Sequence, residues 1–85
     1  MNPQTISREK EQIRQAVDAL PFQKTRWTIQ YRKDKANTPY YVFTVGRHNP
    51  GANRAAPLPY EDYERVCAAC NALGLSCGVK VINHD

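Results

Sequence analysis

Apolar residues recur at helical spacing in two segments of the chain. The stripe of the first segment consists of Ile6, Ile13, Ala16, Val17 and Leu20. The charged residues Arg8, Glu9, Lys10, Glu11 and Arg14 occupy the rest of its surface. An apolar stripe with a charged remainder is typical of an amphipathic helix at a protein surface. We therefore predict a first helix over about 5–20, ended by Pro21 because proline has no N–H to continue the ladder.

The second helical segment follows Pro59, a residue that suits the first turn of a helix. Acidic residues stand near its start, where they complement the positive end of the helix dipole. Its apolar stripe consists of Tyr63, Val66, Cys67, Cys70 and Leu73. Gly74 then suits the left-handed conformation that closes many helices. These features predict a second helix over about 59–73.

Three segments have the alternation or composition of β-strands. The first, about 24–33, reads KTRWTIQYRK, and the second, about 39–47, contains YYVFTVGR and follows a turn-forming DKANTP segment. We expect these two strands to form an antiparallel hairpin. The core face of the hairpin is predicted to consist of Trp27, Ile29, Tyr31, Tyr41, Phe43 and Val45, with Tyr40, Val42 and Thr44 on the other face. A short third strand is predicted over about 78–82, GVKVI.

The order of elements is helix, strand, strand, helix, strand, with a long loop over 48–58 that is rich in proline, glycine and asparagine. A right-handed crossover through the second helix makes the third strand parallel to the second. We place the third strand beside the first, as its antiparallel neighbour. The expected architecture is a single small α+β domain over 1–85, a two-layer sandwich with an antiparallel sheet of order 2-1-3 and two helices on one face.

Length and composition narrow the possible functions. The chain has 85 residues, of which 41% are hydrophobic and 24% charged, which is typical of a folded chain. A chain this short leaves little room for a deep substrate pocket. It contains no run of 18 apolar residues, so we expect no membrane-spanning segment and no membrane partner. Its three cysteines cluster within eleven residues and are not spaced to link distant parts of the chain by disulfides, which favours a reducing, cytoplasmic environment.

The cysteines are candidates for a redox pair or a zinc site. Cys67 and Cys70 have C-x-x-C spacing, but they fall mid-helix on the apolar stripe, whereas redox pairs need a helix N-terminus. A zinc site would combine both of them with Cys77 and His84. No nucleophile elbow and no phosphate-binding loop is present in the sequence. We therefore predict no catalytic residues, no cofactor and no bound metal, and keep a zinc- or thiol-dependent protein that uses Cys67, Cys70 and Cys77 as a second alternative.

The charge of the chain is concentrated in its middle third. Residues 21–58 carry seven Lys and Arg against one Asp, a net of +6, whereas residues 1–20 are neutral and residues 59–85 carry −2. Tyr40 and Val42 also make the second strand apolar on both faces, so a second copy, a protein or a nucleic acid is expected to cover its outer side.

These observations predict a small non-enzymatic protein that binds a macromolecule through the basic, tyrosine-containing hairpin face and the loop. The candidate partner-binding residues are Arg26, Arg32, Lys33, Lys35, Tyr40, Val42, Arg47, His48 and Arg54, to which the loop adds Asn53. We expect a protein or nucleoprotein target, and a chain of this kind suits a phage or mobile-element inhibitor of a host nucleoprotein machine. The first alternative is a module that binds DNA or RNA directly. A homodimer through the open sheet face is a further option.

Overall fold

The computed structural model describes residues 2–51 and 54–84, and the side chain of Arg26 lies outside the described part. The elements are, in chain order, α1 (Pro3–Asp18), β1 (Thr25–Lys33), β2 (Pro39–Gly46), α2 (Tyr60–Asn71) and β3 (Gly78–Asn83). Their bounds differ from the predicted ones by at most two residues. Helix α1 begins two residues earlier than expected because the Asn2 side chain accepts the Thr5 N–H at 2.8 Å and Pro3 occupies the first turn.

The sheet is mixed and has the order β1-β2-β3, so the predicted antiparallel sheet of order 2-1-3 is wrong. Strand β1 pairs with β2 antiparallel, as the hairpin requires, and β3 pairs with β2 in parallel. The third strand does run parallel to the second, but it lies beside β2 and not beside β1. The physical reason is that β2 is the least polar strand, and the central position buries both of its edges and one whole face.

The core lies between the sheet and the two helices. Side chains of α1, α2 and β2, together with one residue of the loop before α2, form one cluster of buried residues, which consists of Ile13, Val17, Tyr41, Phe43, Val45, Leu58, Val66 and Cys70. Both helices contribute to this cluster together with the inward side chains of β2, so both pack on the same side of the sheet. The outward side of the sheet has no helix of the described chain over it.

Glu9 was predicted to lie on the polar side of α1 with the other charged residues. In the structure its carboxylate is buried in the core layer. It accepts hydrogen bonds from the Tyr41 hydroxyl at 2.7 Å, the Ser76 hydroxyl at 2.7 Å and the Ser76 N–H at 2.9 Å. The expectation that Glu9 is solvated is therefore wrong. It lies three residues after Ile6 and four before Ile13, so helical periodicity puts it in the apolar stripe. The carboxylate joins α1, the central strand and the segment before β3.

The second half of the long loop is held against the end of the sheet. Arg47 and Ala56 form an antiparallel bridge with two backbone hydrogen bonds of 2.8 and 2.9 Å. The Asn83 side chain accepts the Leu58 N–H at 2.8 Å and donates to the Leu58 carbonyl at 2.9 Å. Ala55 and Leu58 are buried. These contacts fix residues 55–58 beside the end of β2.

Candidate functional site

The outward side of the sheet is the candidate site, and we call it the open face. It is built by the alternate residues that point away from the helices on all three strands. These residues are Thr28, Gln30 and Arg32 of β1, Tyr40, Val42 and Thr44 of β2, and Lys80 and Ile82 of β3. Seven of the eight, all but Thr28, line one shallow depression of about 350 Å³. The face offers a broad surface and no deep cavity.

The centre of the open face is shielded by its own long side chains. The Arg32 guanidinium donates from Nε and Nη2 to the Gln30 side-chain oxygen at 3.0 and 2.7 Å, which lays the arginine back along β1. Gln30 and Lys80 are the register partners of Val42 on its two sides. Val42 is consequently only 9% exposed. The apolar patch expected at Tyr40 and Val42 is thus smaller than the sequence suggested, because long polar stems cover aliphatic surface.

A stacked aromatic pair closes the open face at the far end of β2. The rings of Trp27 and His84 lie with their centroids 4.7 Å apart and their planes tilted by 31°. They meet over Gly46, where an added Cβ would lie 2.8 Å from Trp27 Nε1 and 3.0 Å from His84 Cβ. Gly46 continues the outward alternation of Val42 and Thr44, so the pair belongs to the open face. Only a residue without a side chain leaves room for this stack.

The position of Trp27 corrects the prediction that it shares the core face with Ile29 and Tyr31. The pairing of β1 with β2 is irregular between Arg26 and Thr28, so one extra residue enters β1 at this point. Such a bulge re-aims a side chain and interrupts the alternation. Trp27 is therefore directed over Gly46 and remains 39% exposed.

Basic side chains occur in both layers of the molecule, whereas the described acidic side chains are absent from the open face. Among the described residues, no Asp or Glu lies on the open face, which carries Arg32 and Lys80. The described acidic residues belong to the helices and to the hairpin turn: Glu9, Glu11, Asp18, Asp34, Glu61, Asp62 and Glu64. The turn aspartate Asp34 is used locally, because it accepts the N–H groups of Ala36 and Thr38 at 2.9 Å each. The open face is therefore electropositive.

The structure brings together some of the predicted partner-binding residues and separates others. Arg32, Tyr40 and Val42 lie on the open face, with Arg32 and Tyr40 directly opposite each other in the register. Lys33 ends β1 and Lys35 follows in the turn, so both extend this end of the sheet. Arg26 has its side chain outside the described residues, and Asn53 lies outside them altogether.

The remaining predicted residues, Arg47, His48 and Arg54, are exposed at the opposite end of β2. At ~3.3 Å per residue, the seven steps from Tyr40 to Arg47 span about 23 Å. The predicted patch is therefore a face with basic groups at both ends.

Four residues of the open face were missed by sequence reasoning: Trp27, Lys80, Ile82 and His84, of which His84 was named only as a candidate zinc ligand. Lys80 and Ile82 join the face only because β3 lies beside β2, and the alternation in GVKVI would have indicated them once that neighbour was known. Trp27 depends on the bulge, for which the sequence has no local signal.

Two of the three cysteines, Cys70 and Cys77, have the environments of packed thiols. All three are free, and Cys70 is buried in the core cluster. Burial, reinforced by the neighbouring Cys67, raises the pKa of the Cys70 thiol to about 11. Burial also raises the pKa of Cys77. Reactive thiols have a lowered pKa, so the two environments are the reverse of those in thiol enzymes. The described residues include no group of three or more His, Cys, Asp or Glu side chains arranged to hold a metal ion.

Glu9 is a buried acid whose carboxylate accepts hydrogen bonds from three donors. Burial by itself would raise its pKa. The hydrogen bonds from Ser76 and Tyr41 outweigh burial, so the pKa of Glu9 lies below its ordinary value. Burial and the bond donated to Glu9 raise the pKa of Tyr41 in turn. The carboxylate is enclosed and its acceptor positions are engaged, which assigns it to the fold and not to a site.

No protein-family model, no curated protein and no solved structure matches this chain. Within the described residues, no helix has the length and apolar character needed to cross a membrane. The geometry and charge of the open face are thus the basis for the function proposed below.

Proposed function

We propose that this chain is a non-catalytic binding protein that docks against an anionic macromolecule through the open face. The observation that carries the proposal is that the open face carries cations and none of the described acidic side chains. The open face has two cations, hydrogen-bonding side chains and aromatic rings, and the described acidic side chains all lie elsewhere. An anion that approaches the centre of the face meets Arg32 and Lys80. Acidic groups lie beyond its edges, with Glu11 in the cleft that Trp27 and Thr28 form with α1 and Asp34 in the hairpin turn.

The residue types of the face support binding more than chemistry. Arg, Tyr and Trp are the residues most often found as energetic anchors of interfaces. Trp27 and Ile82 are each 39% exposed, so apolar surface is available beside the cations. Thr28, Gln30 and Thr44 are neutral groups that donate and accept hydrogen bonds.

Basic residues at both ends of the face extend its attraction beyond the contact surface. Lys33 and Lys35 stand at the hairpin end, and Arg47 and Arg54 stand at the loop end. At physiological ionic strength a charge acts over about 8 Å, so these groups attract a long polyanion and contribute little to a small anion. The proposed ligand is therefore a macromolecule.

The test is retention on immobilised heparin, a polyanion without sequence or bases, in a sodium chloride gradient. The double variant Arg32→Glu with Lys80→Glu reverses both cations of the open face. The matched control, Arg8→Glu with Arg65→Glu, reverses two exposed cations of the helices. Both variants lower the formal charge from +4 by four units, to zero.

We expect the open-face variant to elute at a clearly lower salt concentration than the control. Equal elution of the two variants would mean that retention follows net charge and not the face, and the proposal would then be rejected. Circular dichroism of both variants establishes that the fold is retained.

A further inference from the structure

We infer that the anionic ligand is a single-stranded nucleic acid, which lies along the open face between Tyr40 and the Trp27–His84 pair. The inference rests on the proposed function and names the class of ligand. It is drawn from the arrangement of rings, neutral polar groups and cations on this one face.

Aromatic rings stand at both ends of the face. Tyr40 is half-buried at the hairpin end, and the Trp27–His84 pair stands over Gly46 at the other end. The six steps from Tyr40 to Gly46 correspond to about 20 Å along β2. Rings exposed on a sheet are the platforms on which unpaired bases stack, and every base has a face that can stack. Two platforms at this separation suit a strand of several nucleotides.

The surface between the rings has the groups that such a strand requires. Thr28, Gln30 and Thr44 present hydrogen-bonding groups without charge, which suits the edges of bases. Arg32 and Lys80 flank them on the two outer strands, where they can bind phosphates of the backbone. Sugar-phosphate and base thus each meet groups of suitable chemistry.

A duplex fits this face less well. Its major groove admits a helix or a two-stranded ribbon, and both helices of this chain lie on the other side of the sheet. Three strands spaced by ~4.8 Å, together with their side chains, are wider than a two-stranded ribbon. The bases of a duplex are also stacked on each other and leave the rings of the face without partners.

The other possible occupants are disfavoured by charge and shape. A second copy in face-to-face contact would enclose four cations in one interface with no described carboxylate of either open face, and buried charges without partners are costly. An acidic protein surface would satisfy both cations, but it would also need aromatic or guanidinium side chains placed at both ends of the face, whereas every base of a single strand has a face that can stack. A single strand satisfies both requirements.

The first experiment measures the fluorescence anisotropy of an end-labelled oligonucleotide, both as a single strand and as a duplex of the same sequence. Its length of about 12 nucleotides lies within the range of single-strand binding sites. We expect the single strand to bind at least about tenfold more tightly, as stacking of one or two bases provides. Polyglutamate serves as the competitor that represents an acidic protein. Equal affinity for strand and duplex, or displacement by polyglutamate as efficient as by unlabelled strand, would overturn the inference.

Trp27 is the sole tryptophan and reports stacking directly. Its fluorescence should be quenched as the single strand saturates the protein, and unchanged at the same concentration of polyglutamate. Saturation without a change in the emission of Trp27 would show that the strand does not reach this end of the face, contrary to the inference.

Tyrosine variants provide the matched comparison. Tyr40→Ala should weaken single-strand binding by about tenfold. Tyr60→Ala removes a tyrosine that is 71% exposed on α2, and should leave affinity unchanged. Equal effects of the two would contradict the inference.

The outcomes separate the two proposals. Retention on heparin that depends on Arg32 and Lys80, without preference for single strands, leaves the anionic docking face and removes the nucleic-acid assignment. If the open-face variant and its control elute together from heparin, both the anionic docking face and the nucleic-acid assignment are rejected. In support of both, Arg32→Gln and Lys80→Gln should each reduce the slope of log affinity against log salt by about 0.7.

Discussion

The two faces of β2 are similar in sequence and different in role. On the covered face, Tyr41, Phe43 and Val45 are fully buried against the helices. On the open face, Tyr40 and Thr44 are half-buried and Val42 is shielded by its neighbours in the sheet. Apolar content alone therefore does not tell which side of a central strand is packed and which is available. The difference lies in what the adjacent elements place over each side.

The comparison also separates the residues that stabilise the fold from those proposed to bind. Packing and the buried Glu9 cluster lie on the covered side, whereas cations, the exposed Trp27 ring and the half-buried Tyr40 ring lie on the open side. Substitutions of covered-side residues should therefore lower stability more than substitutions on the open side. The following predictions test this separation.

The largest effect is expected from Phe43→Ala, on the covered face. Removing a fully buried aromatic side chain costs about 3–5 kcal/mol of unfolding free energy, through lost burial and the cavity left behind. Thr44→Ala changes the adjacent residue, which points to the open face, and should cost less than about 1 kcal/mol. Urea denaturation monitored by circular dichroism gives both values. Losses of similar size would show that the open face is also packed in solution.

A smaller loss is expected from Glu9→Gln. The amide keeps the size of the side chain but removes the charged acceptor of three hydrogen bonds, so the unfolding free energy should fall by about 1–3 kcal/mol. Glu11→Gln, on the same helix, alters a partly exposed ion pair with Arg14 and should have little effect. If the two variants have the same stability, the Glu9 cluster does not stabilise the fold.

The same residue predicts the acid response of the protein. The pKa of Glu9 is lowered on folding from an ordinary value of 4.5, so its contribution is complete above that value. The contribution is lost as the pH falls through the lower, folded-state pKa, because the proton binds the unfolded chain more tightly. Urea denaturation at several pH values gives the unfolding free energy at each. Between neutral pH and pH 3, this free energy should fall more for the wild type than for Glu9→Gln. Parallel pH profiles would contradict the lowered pKa.

The smallest effect on stability is expected at the aromatic end of the open face. Gly46→Ala would place a methyl group 2.8 Å from Trp27 Nε1 and 2.9 Å from the Ala56 carbonyl oxygen, at a cost of about 1–2 kcal/mol and with displacement of the Trp27 ring. Gly78→Ala, at the other end of the same face, meets nothing within 4 Å and should be neutral. Thermal melts measure the stability, and the tryptophan emission maximum measures the ring. An unchanged emission maximum in Gly46→Ala would mean that the stack does not depend on this glycine.

The helices and strands were predictable because each depends on the local periodicity of apolar residues and on nearby proline and glycine residues that end it. The pairing of strands was not, because alternation within a strand does not specify its neighbour. The sequence did contain a relevant signal, since β2 is apolar on both faces while β1 and β3 alternate. A strand without a polar face belongs in the centre, and a weighting of that feature would have favoured the observed order.

The candidate site was predictable only in part for related reasons. Arg32, Tyr40 and Val42 follow from the hairpin alone, whereas Lys80 and Ile82 require the position of β3. Trp27 requires a bulge. Glu9 was assigned to solvent because a carboxylate is seldom buried, yet its spacing from Ile6 and Ile13 pointed inward. Residue type and periodicity disagreed there, and periodicity was the better guide.

The Glu9 cluster has a consequence for the order in which the protein folds. The carboxylate and Ser76 are 67 positions apart, so α1 cannot complete its bonding until the segment that contains Ser76 has been synthesised. Before that moment a docked Glu9 would be a charge removed from water with two of its three donors missing, which is unfavourable. Docking of the amino-terminal helix should therefore be a late event on the ribosome, coupled to the emergence of the final strand.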